Sequence, residues 1–517
     1  MKCYCLQDIT ILIITDYNNC EFKCLWRNYR NLYLCTGKIK EIQICNMMLI
    51  SFETIISYVD LVNEEIWSYL VIPLLVCCAL YFTYKLRGIQ FLQVIDMFRQ
   101  LLVPASIKEP NIQKHVGSFQ AFAVSLSSRV GTGNLAGVAS AIFVGGPGAV
   151  FWMWAMAIFG AATAFVEATL AQLFKRKGKE SFYGGPAYYM QHGLHCRWMG
   201  WLFAVALIFG FGISQQIVQS NTVCDIIGNT FHCEPIWIGA ILGVVTIIII
   251  FGGIHRISHV LSMIVPLMAI GYIGIALYIL LANIAHLYDM LVLIVKSAFG
   301  WSQVAGGSLG IAVMQGVKRG LFSNEAGEGS APNAAATAMV SHPVKQGLVQ
   351  ALGVYIDTLV ICTCTAFIIL LSGLYTGSED GVILTAHAMD FHLGEWGRWF
   401  LTAAIFLFAY STIIANYYYG EANILYLTRK KWILQAFRTL TGILVFISTF
   451  LTLQQAWSIV DLAMAMMTLL NLIALALLGK YAFALWNDYI RQKKEGKDPV
   501  FTADIIPSIK DDLEAWK

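Results

Sequence analysis

Long apolar segments recur from about residue 66 to residue 486, and shorter polar loops separate them. Crossing about 30 Å of hydrocarbon takes about 20 helical residues, and eleven segments reach such a length. The predicted spans are 66–85, 117–144, 148–174, 199–223, 235–252, 257–283, 305–340, 345–373, 397–427, 431–451 and 455–486. This pattern predicts an all-α polytopic membrane protein with about 11 transmembrane helices.

The composition leads to the same class of protein. Of the 517 residues, 58% are hydrophobic and 13% are charged, whereas soluble domains have about 45–50% apolar and about 25% charged residues. A soluble enzyme, a disordered chain and a coiled coil are therefore excluded. The formal net charge of +3 is too small to indicate nucleic-acid binding, so the expected surroundings are a lipid bilayer.

The first 46 residues differ from the rest of the chain. They hold six of the thirteen cysteines and one short apolar run, 9–14, which cannot span a bilayer. We interpret 1–46 as an N-terminal extension without function or a mis-assigned start, with Met47 or Met48 as the natural first residue. The other predicted regions are 47–116 (one extra helix and a cytoplasmic linker), 117–486 (the core) and 487–517 (a cytoplasmic tail).

Lysine and arginine are distributed unevenly between the two sets of loops. Twenty-one lie in one set of loops and the C-terminal tail, whereas the alternate loops hold two, Lys296 and Arg398. Because cytoplasmic loops carry the excess of positive charge, the C-terminus is predicted to be cytoplasmic. With eleven spans, the residues before Ile66 then lie outside. This predicts a multi-pass protein of the cell inner (plasma) membrane.

The second span contains an unusual cluster of glycines in "SLSSRVGTGNLAGVASAIFVGGPG", residues 125–148. Gly131, Gly133 and Gly137 lie within seven residues, and each glycine costs a helix interior about 1 kcal/mol. The cluster predicts a break in the helix, where unwound backbone exposes N–H groups to an anion and carbonyl oxygens to a cation. Gly133 and Gly137 could also serve helix packing, and Arg129 beside the break favours a functional pairing.

A second break is predicted in the seventh span, "GVKRGLFSNEAGEGSAPNAAATA", residues 316–338. Four glycines and a proline occur there together with Lys318, Arg319, Glu325 and Glu328. Charges at bilayer depth cost several kcal/mol unless they are paired or face water, so an ordinary lipid-facing helix is excluded. The alternative is a cytoplasmic loop between two helices, which would change the span count and weaken the charge asymmetry.

The two breaks occupy corresponding places in two five-span blocks, 117–283 and 305–486. The second span runs from inside to outside, and the seventh runs from outside to inside. This arrangement predicts an inverted repeat with two discontinuous helices. A substrate site is then expected between the breaks, near the midplane of the bilayer.

Three motifs resemble a known family. "VGTGNLAGVA", "GLFSNEAGEGSAPNAAATA" and "FAYSTIIANYYYGE" are similar to motifs of the alanine or glycine:cation symporter family, and the similarity runs from about Met47 to the last span. The resemblance implies sodium-coupled uptake of alanine or glycine by alternating access. It also implies a leucine-transporter-type fold, with a 5+5 inverted repeat preceded by one extra helix.

The resemblance also implies site residues. Backbone N–H groups at the first break would receive the substrate carboxylate, and a row of amides on the fourth span would lie beside it. The implied substrate-binding residues are Gly131, Thr132, Gly133, Asn134 and Gln219. The implied Na⁺ ligands are the carbonyls of Ser127 and Val130 and the hydroxyls of Ser411 and Thr412. The amide row could instead join two helices.

Some features depart from the family pattern or stay open. Asn416 stands where many relatives carry a tryptophan, which puts the size preference of the pocket in doubt. The intramembrane acids could relay protons or pair with basic residues; they are Glu167, Asp357, Glu421 and Asp461. An ion channel or a membrane-embedded enzyme is the alternative function. One chain carries both halves and no Ser-His-Asp or H-E-x-x-H arrangement is present, so we favour a symporter without enzymatic activity.

Overall fold

The computed structural model describes residues 2–6, 9–16, 21–28, 31–38, 58–102, 116–178, 181–300, 309–377, 380–450 and 453–516. The predicted start at Met47 and residues 103–115 of the predicted linker lie outside the described residues. The chain divides into two compact units, Met1–Val62 and Asn63–Lys517.

The first unit contains a four-stranded antiparallel sheet. Its strands are β1 Lys2–Leu6, β2 Ile9–Asp16, β3 Glu21–Asn28 and β4 Asn31–Lys38, paired in chain order. In the register between β1 and β2, Leu6 is opposite Ile9. The sequence analysis predicted no strands here, because a continuous apolar run such as 9–14 does not distinguish a strand from a helix segment.

The second unit is built from helices. They are α1 Tyr58–Lys85, α2 Ile89–Leu92, α3 Val94–Leu102, α4 Ser118–Arg129, α5 Gly133–Gly145, α6 Gly148–Leu173, α7 Pro186–His192, α8 Arg197–Phe231, α9 Pro235–Ile250, α10 Gly253–Ala282, α11 Leu287–Ala298, α12 Leu309–Asn324, α13 Pro332–Ala335, α14 Pro343–Ser372, α15 Gly381–Leu393, α16 Glu395–Leu427, α17 Lys431–Phe450 and α18 Leu453–Lys494. Two short strands, β5 Arg176–Lys177 and β6 Phe182–Tyr183, pair after α6.

Eight of these helices are long and apolar enough to cross a membrane: α1, α6, α8, α10, α14, α16, α17 and the Val460–Lys494 part of α18. The shorter apolar helices α5 and α9 contain 13 and 16 residues. This arrangement confirms the predicted class, a helical polytopic membrane protein. The exact count of eleven spans stays a prediction, as does the inverted repeat.

Both predicted helix breaks are present. Helix α4 ends at Arg129, and the chain resumes in a π-helical turn, Gly133–Gly137, at the start of α5. Helix α12 ends at Asn324, and the irregular backbone that follows has positive φ angles at Glu325, Gly327 and Gly329. Every residue from 320 to 354 is buried. The alternative of a solvent-exposed loop at the second break is therefore wrong.

Small residues on α6 allow the second break to lie close to it. Ala157, Ala161 and Ala164 are fully buried, and α6 packs against both α12 and α14. A Cβ on Gly160 would lie 3.1 Å from the Cβ of Ala326, which follows the end of α12. Close backbone approach through small residues is the usual way in which membrane helices pack.

The C-terminal tail folds back over the ends of several helices. The Phe501 N–H donates to the Ser341 carbonyl at 2.9 Å, and the Ser341 hydroxyl donates to the Pro499 carbonyl at 2.9 Å. At the other end of the tail, the Trp516 indole N–H donates to the Gln172 carbonyl at 2.9 Å. The tail is thus attached to α6 and to the segment that precedes α14.

Candidate functional site

The first helix break is held by side-chain contacts to its backbone. The Gly131 N–H donates to Asn134 Oδ1 at 3.0 Å, and the Thr132 N–H donates to Gln219 Oε1 on α8 at 3.1 Å. These N–H groups belong to the start of a helix, where the first donors have no partner within the helix. Gln219 is therefore a direct neighbour of the break, in agreement with its predicted place.

Gly131 is the point of closest approach between the break and two other helices. A Cβ on Gly131 would lie 2.6 Å from Thr412 Oγ1 and 3.2 Å from Gln219 Oε1. Real Cβ atoms do not tolerate the first of these distances, so a larger residue would push α8 or α16 away. The absence of a side chain at Gly131 lets both helices reach the unwound backbone.

Three of the four predicted sodium ligands lie together. The Thr412 hydroxyl donates to the Ser127 carbonyl at 2.7 Å and is 3.4 Å from the Val130 carbonyl oxygen. The fourth, Ser411, directs its hydroxyl to the Phe408 carbonyl at 2.9 Å and to the Met268 sulfur at 3.6 Å. The structure therefore does not bring the Ser411 hydroxyl into contact with the other three.

The chemistry of this oxygen set suits a small hard cation, which prefers oxygen ligands. Ser127 and Val130 lie at the end of α4, where carbonyl groups have lost their helical partners. Thr412 Oγ1 is also 2.9 Å from the Phe408 carbonyl oxygen. Because the hydroxyl can donate its proton to Phe408, its lone pairs can face a cation held by the two carbonyls of the break.

Asp357, on α14, joins the two breaks. Its carboxylate accepts hydrogen bonds from Asn134 Nδ2 at 2.6 Å, from the Ser323 hydroxyl at 2.7 Å and from the Thr358 hydroxyl at 2.8 Å. Asn134 belongs to the first break, and Ser323 lies two residues before the second. The Cys362 sulfur is 3.3 Å from Asn134 Nδ2 and completes this fully buried group.

The sequence analysis named Asp357 only as an intramembrane acid and did not place it at the site. An acid at bilayer depth is a functional candidate by default, and this was the available signal. Ser323 was missed, although it lies inside the predicted second break, because nothing in that motif distinguishes it from its neighbours. Asp357 also orients Asn134, whose amide oxygen accepts the Gly131 N–H, so Asp357 is a positioning residue for the first break.

Two of the other three predicted acids, on α16 and α18, form ion pairs, whereas Glu167 on α6 accepts a hydrogen bond from Asn471 Nδ2 at 3.0 Å. Arg438 Nη2 is 3.3 Å from Glu421 Oε1, and Lys318 Nζ is 2.5 Å from Asp461 Oδ2. Each carboxylate neutralises a basic residue that would otherwise be unpaired inside the protein. Two of the four intramembrane acids are thus partners of basic residues, one of the roles left open by the sequence.

Arg129 lies at the end of α4 and is almost completely buried. Its Nη1 donates to the Gln350 carbonyl at 3.1 Å, and within the described part of the chain no carboxylate oxygen lies within 4.0 Å of it. The nearby Glu325 carboxylate accepts the hydroxyls of Ser128 and Ser330 instead. The functional pairing favoured for Arg129 is therefore not a direct ion pair in this structure.

Comparisons with known proteins show the family of the chain. The sodium:alanine symporter family matches residues 52–503 of the chain. The chain is 48% identical over 459 residues to the probable sodium/glutamine symporter GlnT of Bacillus subtilis (strain 168). The aligned residues cover 89% of this chain and 95% of that protein. The chain is 47% identical over 461 residues to the amino-acid carrier protein AlsT of the same organism, which covers 89% and 97%.

A third relative is the sodium/proton-dependent alanine carrier protein of Bacillus sp. (strain PS3). It is 40% identical over 411 residues, which cover 75% of this chain and 91% of the relative. The family match includes all three motifs that carried the resemblance, and both breaks lie inside it. The protein is a membrane transporter and not an enzyme, and the chain belongs to the sodium:alanine symporter family.

Proposed function

We propose that this transporter couples inward movement of Na⁺ to uptake of a small neutral amino acid, alanine and/or glycine, across the inner membrane by alternating access. The observation that carries the proposal is the contact of Thr412 Oγ1 with the Ser127 and Val130 carbonyl oxygens, at 2.7 and 3.4 Å. Three oxygen atoms from two helices converge at a helix break, which is where symporters of broken-helix type hold their coupling ion.

The substrate carboxylate is proposed to bind at the other side of the same break. The Thr132 N–H, which donates to Gln219 Oε1 at 3.1 Å, can donate to a carboxylate instead. The Gln219 amide can then turn its NH₂ group toward that carboxylate. The start of a helix favours a negative charge by its exposed N–H groups and its dipole.

Contact between the two proposed sites supports coupling. Gly131 lies between them, because its Cα faces both Thr412 and Gln219. A cation that fixes the backbone on the Thr412 side also fixes the N–H groups on the Gln219 side. Each ligand then raises the affinity for the other by the same factor, as thermodynamic linkage requires.

Glutamine is a second candidate substrate. Asn416, the residue in the place of the tryptophan common among relatives, is fully buried, and its Oδ1 lies 2.7 Å from the hydroxyl oxygen of Ser128 beside the first break. Its Nδ2 atom has no hydrogen-bond partner among the described residues. A substrate amide oxygen would satisfy this donor, and one relative is described as a probable sodium/glutamine symporter.

The proposal is tested by uptake of labelled alanine into proteoliposomes with and without an inward Na⁺ gradient, using unlabelled glycine and glutamine as competitors. We expect saturable uptake that requires the gradient, and competition by glycine. Replacing Asn416 by Trp should weaken competition by glutamine and leave competition by glycine nearly unchanged. Flux that is independent of Na⁺ and does not saturate would indicate a channel instead.

A further inference from the structure

A cavity of about 540 Å³ lies at one end of the helices, away from the breaks. The turn between α1 and α2 forms one wall, and the last two turns of α18 form the other. Helices α1 and α18 end at Lys85 and Lys494, so the cavity lies at the ends of two helices that are long and apolar enough to cross a membrane.

Three cationic side chains line the cavity: Arg87, Arg491 and Lys494. Within the described residues, Arg87 and Lys494 have no carboxylate at ion-pair distance, whereas Arg491 contacts Asp488. The one acidic residue of the lining, Glu495, pairs with Lys497 at 2.7 Å. The lining therefore carries an excess of positive charge that faces open space.

Most of the remaining lining is apolar. Leu86, Ile89, Leu92, Trp486 and Ile490 lie beside the basic side chains, together with the polar residues Gln93 and Asn487. Leu92 is 73% exposed. Positive charge beside an apolar wall at a membrane boundary complements a molecule with an anionic head and a hydrocarbon chain.

We propose that this cavity binds an anionic phospholipid, with its phosphate between Arg87 and Lys494 and the upper part of an acyl chain along Leu92 and Ile490. Basic residues at the ends of helices also complement the helix dipole, which would require no ligand. Arg87, which follows the end of α1 in a left-handed conformation with a φ of 55°, has the usual place of a residue that ends a helix, so the test must separate lipid binding from this explanation. Free phosphate has the same anionic group as the lipid head, but it makes no apolar contact with Leu92 and Ile490.

The test measures lipid binding to the purified full-length protein by native mass spectrometry, with phosphatidylglycerol and phosphatidylcholine titrated separately. The variant is Arg87→Ala/Lys494→Ala. The matched control is Lys430→Ala/Lys431→Ala, which removes the same charge from the exposed connection between α16 and α17. Both variants are first checked for an unchanged elution volume and unfolding temperature. Transport is not the readout, so the result is independent of the proposed substrate.

We expect one phosphatidylglycerol to bind more tightly than phosphatidylcholine, and the cavity variant to bind it roughly 30-fold more weakly. The control variant should stay within about twofold of the wild type. Equal binding of the two lipids, or equal weakening in both variants, would show unspecific attraction and overturn the proposal. Displacement of the lipid by millimolar inorganic phosphate would identify a free-anion site and would also overturn it.

Discussion

Replacing Thr412 by Val tests the proposed ion site most directly, because it removes the hydroxyl oxygen and keeps the branched shape of the side chain. The hydroxyl contacts the Ser127 and Val130 carbonyls and its own helix at Phe408. The prediction concerns the Na⁺ concentration that gives half-maximal alanine uptake. Thr412→Ser, which retains the oxygen, is the matched control.

Two opposing effects determine the expected magnitude. Losing one oxygen ligand to a buried charge costs about 1.5–3 kcal/mol of ion binding. The ion-free protein also loses the hydrogen bond from Thr412 to Ser127, worth about 1 kcal/mol, and this loss makes ion binding relatively more favourable. The net penalty is about 0.5–2 kcal/mol, so half-maximal uptake should need roughly 2- to 30-fold more Na⁺.

The assay is alanine uptake into proteoliposomes over a range of Na⁺ concentrations, with the amount of reconstituted protein measured for each variant. At saturating Na⁺, the alanine concentration for half-maximal uptake should change far less, because the lost ligand belongs to the ion. Thr412→Ser should resemble the wild type. A Na⁺ dependence of Thr412→Val within twofold of wild type would show that the hydroxyl is not a ligand of the ion.

Three further predictions concern the same core and the extension. Gly131→Ala should abolish Na⁺-driven alanine uptake while the protein still elutes as a folded species, because the new Cβ would lie 2.6 Å from Thr412 Oγ1. Asp357→Ala should lower uptake at least tenfold by leaving the Asn134 amide unpaired, whereas Asp357→Asn keeps an acceptor and should lose much less; equal losses would refute the positioning role. A chain that begins at Met47 should insert and transport alanine like the full chain, and loss of uptake despite normal insertion would show that the extension matters.

Local composition was sufficient to predict where the helices break. Clusters of glycine inside otherwise apolar segments are costly in a helix, and the structure ends α4 at Arg129 and α12 at Asn324 within those clusters. Composition did not place Thr412 beside the first break; only the family resemblance did. No property of the α16 sequence by itself distinguishes Thr412 from other buried hydroxyls.

Contacts between distant parts of the chain could not be predicted in this way. Asn134 and Asp357 are separated by 223 residues, and their hydrogen bond depends on how α5 and α14 pack. Charge complementarity suggested a carboxylate near Arg129, but the guanidinium donates to the Gln350 carbonyl. Several acids and bases inside one protein allow many pairings, and only the packing of the helices selects among them.

The two networks at the first break share one short stretch of backbone, which gives a physical basis for coupling. Ser127 and Val130 present their carbonyls to Thr412, and four residues later Asn134 bonds both Asp357 and the Gly131 N–H. Because this stretch is buried and unwound, a shift of its backbone alters the contacts on both sides together. An ion that holds the carbonyl side in place therefore restricts the N–H side to fewer arrangements. Ion binding then orders those N–H groups in advance. A substrate whose carboxylate accepts hydrogen bonds from them loses less entropy on binding and therefore binds more tightly.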